Sequence, residues 1–148
     1  MKKLFTILMS LFLVLSLAAC SSGNEEAELT NIGTFEKYTL ELNDAEFTTN
    51  ESGENVIKVD ATYMNDDSEP QYALSSFAVR AFQNDVELTD ISNINGDEVS
   101  LIQEVKNGAS IGVTYVFVLD DDSEVEVLIG EPTADQTTVG QQTYTVNK

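Results

Sequence analysis

The chain has 148 residues and a formal net charge of −19, because 26 aspartate and glutamate residues oppose 7 lysine and arginine residues. It contains one cysteine and no histidine, which excludes an internal disulfide and the ordinary zinc and copper sites that need several Cys or His ligands. Because such an acidic chain repels the phosphate backbone, nucleic acid is a poor partner.

The N-terminal segment, residues 1–19, has the layout of a secretory signal. Lys2 and Lys3 precede an uncharged apolar run from Leu4 to Ala19, and this order is typical of a signal peptide. The run is shorter than the roughly 20 residues that a transmembrane helix needs, and it lacks the polar face of a helix in a small domain. We therefore predict a cleaved signal helix over residues 1–19.

The residues from Leu17 to Cys20 read LAAC and resemble the lipobox of bacterial lipoproteins. The resemblance implies that Cys20 becomes the first residue of the mature chain and carries a diacylglycerol on its thiol. Two acyl chains anchor a protein stably, since each buried CH₂ contributes about 0.8 kcal/mol. We therefore predict a lipid-anchored protein at the cell membrane, facing the extracytoplasmic side. The alternative is a plain secreted protein in which Cys20 has no such role.

The segment after Cys20 is small and acidic. It reads SSGNEEAELTNI from Ser21 to Ile32, a composition typical of a flexible tether. We predict that residues 20–33 form a lipidated, disordered tether. The remaining length, residues 34–148, fits one domain rather than two.

A period of two dominates this domain and predicts half-buried β-strands. The predicted strands lie in Tyr38–Thr48 with an irregularity at Asn43–Asp44, Asn55–Asn65, Ser75–Leu88 with a turn at Gln83–Asp85, Gly108–Gly130 with a turn at Asp120–Ser123, and Gln141–Val146. Only Val99–Lys106 stays open between a strand and a short helix. The pattern predicts an all-β fold, an immunoglobulin-like antiparallel β-sandwich of about seven strands.

Three segments within this pattern carry a second resemblance: VIKVDATYMNDD, FAVRAFQNDVEL and EVKNGASIGVTYVFVLDDDSEVEVLI. From about Tyr38 to Gly130 the chain resembles an uncharacterised family of lipoproteins and secreted proteins from Gram-positive bacteria, classed as a domain of unknown function. The resemblance implies an immunoglobulin-like sandwich similar to secreted mycobacterial immunoprotective antigens, and it brings no catalytic or binding residues. The family usually has Pro-Gly before the long strand, where this chain has Asn107-Gly108, a pair that also suits positive φ.

Ser110 lies in a Gly-x-Ser-x-Gly pattern, the pattern of hydrolase nucleophile elbows. That elbow needs a helix after the serine and a histidine base, whereas this chain has no histidine and a predicted strand follows Ser110. We therefore predict no catalytic residues and no enzymatic activity. The predicted function is a binding or interaction module without a cofactor.

Two acidic loops, Asn65–Glu69 and Asp120–Glu124, are the candidates for binding calcium, because hard cations take six to eight oxygen ligands. Asp120, Asp122 and Glu124 point to one side if their segment is extended, so they are the candidate metal ligands. Neither loop has the glycine of the EF-hand order. The alternatives are solvated turns on an acidic surface, or a cation-binding surface protein that uses these loops.

Apolar residues also occupy the second face of two predicted strands, at Phe82, Val116 and Val118. Strands of this kind are either central and covered, or they border an exposed patch used for partners. In the second case these three residues would bind an envelope or extracellular protein. Arg80, the sole arginine, lies on the same side as Phe82, and we expect it to pair with a nearby carboxylate.

Overall fold

The computed structural model of the protein describes residues 28–92 and 100–146. The predicted signal segment and Cys20 lie outside the described residues. In the part that is described, no helix has the length and apolar content needed to cross a membrane.

The described residues form two antiparallel sheets packed face to face, which confirms the predicted all-β sandwich. The elements are β1 (Ile32–Phe35), β2 (Tyr38–Thr49), β3 (Asn55–Asn65), α1 (Ala73–Ser76), β4 (Ala78–Gln83), β5 (Val86–Glu87), β6 (Thr89–Asp90), β7 (Ala109–Val118), β8 (Val125–Gly130) and β9 (Thr138–Tyr144). One five-stranded sheet has the order β1-β2-β3-β7-β6, and one four-stranded sheet has the order β5-β4-β8-β9.

Two of these strands, β1 and β6, were not predicted. β1 starts at Ile32, inside the predicted tether, and it pairs antiparallel with β2. Asn31 Nδ2 donates a hydrogen bond to Leu42 O at 2.9 Å, so the fold begins before residue 34 and the predicted tether was too long at this end. Neither strand shows the apolar alternation on which the prediction depended, since Gly33 is the one buried residue of β1 and both residues of β6 are exposed.

The core lies between the two sheets and follows the predicted alternation. On β3 the buried inward side chains are Ile57, Val59, Ala61 and Tyr63. The Tyr63 ring stacks on Tyr38 and meets Phe77 edge to face, with ring centroids 6.4 Å apart in both pairs. Each large apolar side chain buried in this way stabilises the fold by about 1.5–3 kcal/mol.

The predicted irregularities and turns are also present. The register between β2 and β3 shifts between Leu42 and Ala45, which confirms the irregularity at Asn43–Asp44. Asn84 and Asp85 both have positive φ, as a tight hairpin between β4 and β5 requires. The sequence left Val99–Lys106 undecided between a strand and a short helix. Within it, Val105 exchanges backbone hydrogen bonds of 3.1 and 2.8 Å with Gln71.

Candidate functional site

The two predicted acidic loops lie at opposite ends of the sandwich. β3 and β7 run antiparallel, so that Asn65 pairs with Ala109 at one end and Val56 pairs with Val118 at the other. The loop Asn65–Glu69 follows β3, whereas Asp120–Glu124 follows β7. The two loops therefore cannot contribute to one binding site.

The loop Asp120–Glu124 is held by hydrogen bonds within the protein. Asp121 Oδ1 accepts a hydrogen bond from Ser123 N at 2.7 Å and another from Ser123 Oγ, while Asn84 Nδ2 donates to Asp121 Oδ2 at 2.9 Å. These bonds, those from Ser123 foremost, hold the pKa of Asp121 below its usual value. The carboxylate therefore shapes the turn.

The three candidate metal ligands of this loop, Asp120, Asp122 and Glu124, are exposed. Over residues 28–92 and 100–146, no group of three or more His, Cys, Asp or Glu side chains is placed to hold a metal ion. The structure thus does not bring Asp120, Asp122 and Glu124 together as a cation site.

A buried glutamine that the sequence analysis treated as a turn residue fixes the same loop. Gln83 is 2% exposed, and its Nε2 donates to Asp121 O at 3.2 Å and to Ser123 O at 2.9 Å. Its Oε1 accepts from Asp120 N at 2.9 Å. Because this amide satisfies backbone groups of the β7–β8 loop, it joins the loop to β4 and stabilises both.

The loop Asn65–Glu69 is built in a similar way. Ser68 N donates to Asp67 Oδ1 at 2.6 Å, Tyr38 Oη donates to Asp67 Oδ2 at 3.2 Å, and Lys37 forms an ion pair with Asp67 at 3.4 Å. The bond from Ser68 is the main reason why the pKa of Asp67 lies below its usual value. Asn65 is buried, and its Nδ2 donates to Val105 O at 2.8 Å. Both acidic loops thus have structural hydrogen bonds at their centres.

The three residues predicted as an interaction patch do not share a surface. Val116 is fully buried in a small cluster with Val56 and Ile91, and Val118 packs against that cluster on the five-stranded sheet. Phe82 lies on β4 of the other sheet. A patch that includes an exposed Val116 is therefore wrong, and the covered alternative is correct for this residue.

The expected ion pair of Arg80 is also absent from the part of the chain that the structure describes. The Arg80 guanidinium instead lies over the Phe82 ring, with Cζ 5.4 Å from the ring centroid. A cation over an aromatic face is attracted by the quadrupole of the ring. Ser110, the residue of the hydrolase-like pattern, is exposed within β7 and pairs with Met64.

The sequence analysis missed a pocket between β4 and the edge formed by β6 and β7, which we call the open-side pocket. Its volume is about 310 Å³, and its lining residues are Leu74, Phe77, Ala78, Val79, Asp90, Tyr115, Pro132, Thr133 and Gln136. The lining thus combines apolar side chains with the Asp90 carboxylate and the polar side chains of Thr133 and Gln136.

Tyr115 lines this pocket, but its hydroxyl is buried away from the accessible surface. The side chain is 3% exposed, and its hydroxyl has no hydrogen-bond partner among residues 28–92 and 100–146. Burial, assisted by the charge of Asp90, raises the pKa of Tyr115, so the hydroxyl stays neutral and is able to donate or accept a hydrogen bond. A buried hydroxyl without a partner is costly and uncommon in folded proteins.

Asp90 is the charged group of the open-side pocket, and a serine two residues later fixes it. Asp90 Oδ1 accepts hydrogen bonds from Ser92 N at 2.8 Å and from Ser92 Oγ. Ser92 Oγ in turn accepts a hydrogen bond from Val116 N at 2.9 Å. An Asp two residues before a Ser favours such a turn, and the same spacing recurs in Asp121 and Ser123. This spacing is the one sequence signal that points to the site.

A comparison with protein families gives one match. A family model described as a domain of unknown function (DUF5067) matches residues 21–129. This range includes β1 to β7 and most of β8. Among curated protein sequences, none matches the chain significantly.

Two solved structures from Gram-positive bacteria are similar to this fold. A Staphylococcus aureus NCTC 8325 protein named a "putative lipoprotein" is 13% identical with a TM-score of 0.62, and the alignment covers 80% of this chain and 90% of that one. A Bacillus subtilis strain 168 protein with the same description is 14% identical with a TM-score of 0.58, and the alignment covers 82% of this chain and 40% of that one. At such identities the similarity concerns the fold alone.

Proposed function

The chain belongs to the DUF5067 family, and on this premise we propose that it is a lipid-anchored binding module on the extracytoplasmic side of the cell membrane, without catalytic activity. The observation that carries the proposal is Cys20 at the end of the uncharged run from Leu4 to Ala19. This is the order that lipid attachment and export require. The lipoprotein names of the two structural neighbours support the same reading.

The spacing between Cys20 and the fold supports attachment to a membrane. Among the described residues, which begin at residue 28, Thr30 and Asn31 already form hydrogen bonds to the sandwich, so only a short segment separates the predicted lipid from the domain. The net charge of −19 disfavours direct contact with anionic headgroups. The acyl chains would therefore provide the membrane affinity, and the sandwich would face away from the bilayer.

The binding part of the proposal is supported by the open-side pocket and by the placement of the one enzyme-like motif. A nucleophile elbow places its serine at a sharp turn between a strand and a helix, whereas Ser110 lies within β7. In the two acidic loops, the carboxylates of Asp67 and Asp121 accept hydrogen bonds that shape the loops. The open-side pocket, in contrast, is lined by Asp90 and by apolar side chains such as Phe77 and Val79.

Metabolic labelling tests the anchor. Cells that produce the protein would be grown with an alkyne-tagged fatty acid, and membrane and soluble fractions would be compared for the unsubstituted chain, Cys20→Ser and the neighbouring control Ser22→Ala. We expect label and membrane retention for the unsubstituted chain and for Ser22→Ala, and loss of both for Cys20→Ser. Membrane retention of Cys20→Ser, or absence of label on the unsubstituted chain, would contradict the proposal.

A further inference from the structure

Part of β2 lacks a neighbouring strand on one of its two edges. β1 pairs with β2 only over Tyr38–Glu41, whereas β3 pairs with the other edge along the length of the strand. Leu42 N still donates to Asn31 O, but β2 continues to Thr49. Within residues 28–92 and 100–146, no strand therefore covers this edge of β2 beyond the shift in register that follows Leu42.

The pairing with β3 shows which backbone groups lie on the uncovered edge. Hydrogen bonds alternate between the two edges of a strand. On β3, Asn55 O accepts a hydrogen bond from Leu119 N on the β7 side, so the even-numbered residues of β3 hydrogen-bond with β2. Their partners after the shift in register are Glu46 and Thr48. The intervening residues of β2 therefore direct their N–H and C=O groups to the uncovered edge. These residues are Ala45, Phe47 and Thr49.

A groove lies along the uncovered edge, and we call it the β2 groove. One part has a volume of about 610 Å³ and lies between Asn43–Phe47 of β2 and Gln142–Thr145 of the other sheet. The adjoining part has a volume of about 510 Å³ and reaches Leu119 and Asp122. Phe47 lines both parts, and it is partly buried against the core, as is Leu119. The β2 groove thus combines an unpaired strand edge with an apolar floor.

This combination suits an extended peptide. A strand placed beside β2 would hydrogen-bond with the N–H and C=O groups of Ala45, Phe47 and Thr49, which is how peptides add to exposed sheet edges. Its alternate side chains would point inward onto Phe47, because side chains alternate between the two faces of a sheet. β1 lies further along the same edge and runs antiparallel to β2, so the added strand would continue the line of β1.

The charges around the β2 groove distinguish among possible strands. Asp44 and Glu46 are exposed beside the uncovered edge, and Asp122 lines the far part of the groove. Lys58, opposite Glu46, is the one basic residue of β3. A strand whose outward side chains are basic would be attracted to these carboxylates, and an acidic strand would be repelled.

For the same reason, segments of this protein are unfavourable occupants. The residues before β1 include Glu25, Glu26 and Glu28, and a second copy of the chain has the same net charge of −19. Either occupant would bring further carboxylates to a groove that is already acidic, and like charges repel. The charge complementarity therefore favours a basic segment of another protein.

We propose that the β2 groove binds an extended basic segment of a partner protein, which adds to β2 as an antiparallel strand. Apolar side chains of the segment alternate with lysine or arginine. The apolar side chains contact Phe47, and the basic side chains lie beside Asp44 and Glu46. The inference rests on the proposed function of a binding module and names the chemistry of its partner, but it is independent of the lipid anchor.

Three capped heptapeptides test strand addition and charge separately. In the first, lysine alternates with valine. In the second, proline replaces valine, which keeps the charge and removes the N–H donors that would face β2. In the third, glutamate replaces lysine. Each would be titrated into the full chain carrying Cys20→Ser and followed by NMR. We expect the lysine–valine peptide alone to shift the amides of Ala45, Phe47 and Thr49 in a saturable manner.

Two variants assign the binding to the proposed groups. Thr49→Pro removes one N–H from the uncovered edge, a position that proline tolerates in an edge strand, and we expect it to weaken binding of the lysine–valine peptide about fivefold. Glu46→Gln removes one carboxylate, and we expect a loss of about threefold. The matched control is Glu41→Gln, which changes the net charge equally on the part of β2 that β1 covers. It should bind like the unsubstituted chain.

Each other outcome would overturn the proposal. Equal shifts with the proline peptide would mean that charge alone attracts the ligand, and equal affinity for the glutamate peptide would mean that charge has no role. The same holds for absence of shifts with the lysine–valine peptide, and for unchanged affinity in Glu46→Gln, which decides the matter if Thr49→Pro lost the dispersed spectrum of a folded protein.

The remaining outcomes concern other occupants and the anchor. Cross-strand contacts of Ala45–Thr49 with residues 21–29 of the free protein, or with a second copy in a dimer, would assign the β2 groove to this chain and overturn the proposal. Membrane retention of Cys20→Ser would contradict the lipid anchor and leave the peptide titrations unaffected. Failure of this inference is therefore distinguishable from failure of the proposed function.

Discussion

The two long sides of the sandwich differ in how the sheets meet. On the closed side, formed by β1 and β9, Gln141 N donates to Thr30 O at 2.7 Å and so links the two sheets. On the open side the chain passes from β5 to β6 through Leu88, whose N–H donates to Ala81 O at 2.8 Å. Beyond this crossing, β4 and β6 leave the open-side pocket between them.

The difference shows how the size of the side chains at each side determines whether the two sheets meet there or leave a pocket between them. A Cβ built on Gly140 would lie 2.9 Å from Gly33 N, and one built on Gly33 would lie 2.7 Å from Ile129 Cγ2. The chain segments on the closed side therefore approach each other more closely than any residue other than glycine would allow. On the open side, Tyr115 and Leu74 instead line the open-side pocket. The closed side thus brings the two sheets into contact, and the open side retains a pocket.

The largest expected effect comes from forcing the closed side apart. Gly140→Val should lower the free energy of unfolding by about 3 kcal/mol, because an added side chain collides with backbone that cannot easily move. The matched control is Gly112→Val, because a Cβ at Gly112 has nothing within 4 Å and valine suits a strand. Urea denaturation of both variants would measure the difference. Similar losses in the two would show that close approach of β1 and β9 does not stabilise the fold.

The next effect concerns the hydrogen bonds that support the open side. Ser92→Ala removes the acceptor of Val116 N–H, a buried group, so we expect a loss of about 2 kcal/mol from an unsatisfied donor. Ser110→Ala, an exposed serine on the same strand as Val116, should change stability by less than about 0.5 kcal/mol. Equal losses of stability in the two variants would show that the hydrogen bonds of Ser92 with Asp90 and Val116 do not stabilise the edge formed by β6 and β7.

A smaller effect of opposite sign is expected inside the open-side pocket. Tyr115→Phe should raise the free energy of unfolding by about 1 kcal/mol, because it removes a buried hydroxyl that lacks a protein partner. Tyr63 supplies the comparison, since its hydroxyl lies 2.8 Å from Ser76 Oγ in the same core. Tyr63→Phe should cost about 1 kcal/mol. Thermal denaturation in which both variants lose stability would mean that the Tyr115 hydroxyl is satisfied in solution.

The sequence predicted those structural features of the sandwich that depend on the alternation of apolar and polar residues. β3 and β7 alternate apolar and polar residues, so their inward faces and the burial of Tyr63 and Tyr115 followed from the pattern. The pattern does not distinguish a tyrosine whose hydroxyl has a partner from one whose hydroxyl has none, because partners come from distant segments. β1 was missed for a related reason, since its contact with β9 depends on glycine, which has no side chain to contribute to an apolar pattern.

The acidic loops show what charge and spacing alone leave out. Clustered carboxylates suggested a shared cation, but Asp67 and Asp121 bind the N–H groups of Ser68 and Ser123 nearby. Asp followed closely by Ser is a turn-forming combination, so a carboxylate cluster in a loop also arises from local hydrogen bonding. The prediction of Asp120, Asp122 and Glu124 as ligands relied on charge and spacing, whereas local hydrogen bonding determined the structure of the loop.

The smallest expected effect is a pH dependence on the closed side. Tyr144 of β9 donates a hydrogen bond from its hydroxyl to Asn43 O at 2.8 Å and so joins β9 to β2 of the other sheet. Burial, with contributions from Asp44 and Asp60, raises the pKa of Tyr144 from 10.0 to about 12. The folded state holds this proton more tightly than the unfolded state. The contribution of Tyr144 to the free energy of unfolding is therefore complete below about pH 10 and is lost as the pH rises towards about 12.

Partial exposure of Tyr144 keeps this contribution small, since solvent weakens both the desolvation and the charge effects. Free energies of unfolding measured between pH 9 and about 12 should decline less steeply for Tyr144→Phe than for the unsubstituted chain. The other tyrosines are present in both proteins, so the difference between the two curves reports on Tyr144. Parallel curves would mean that this hydroxyl ionises alike in the folded and unfolded states, and that the closed side is held by the approach of Gly33 and Gly140 without help from the β9–β2 hydrogen bond.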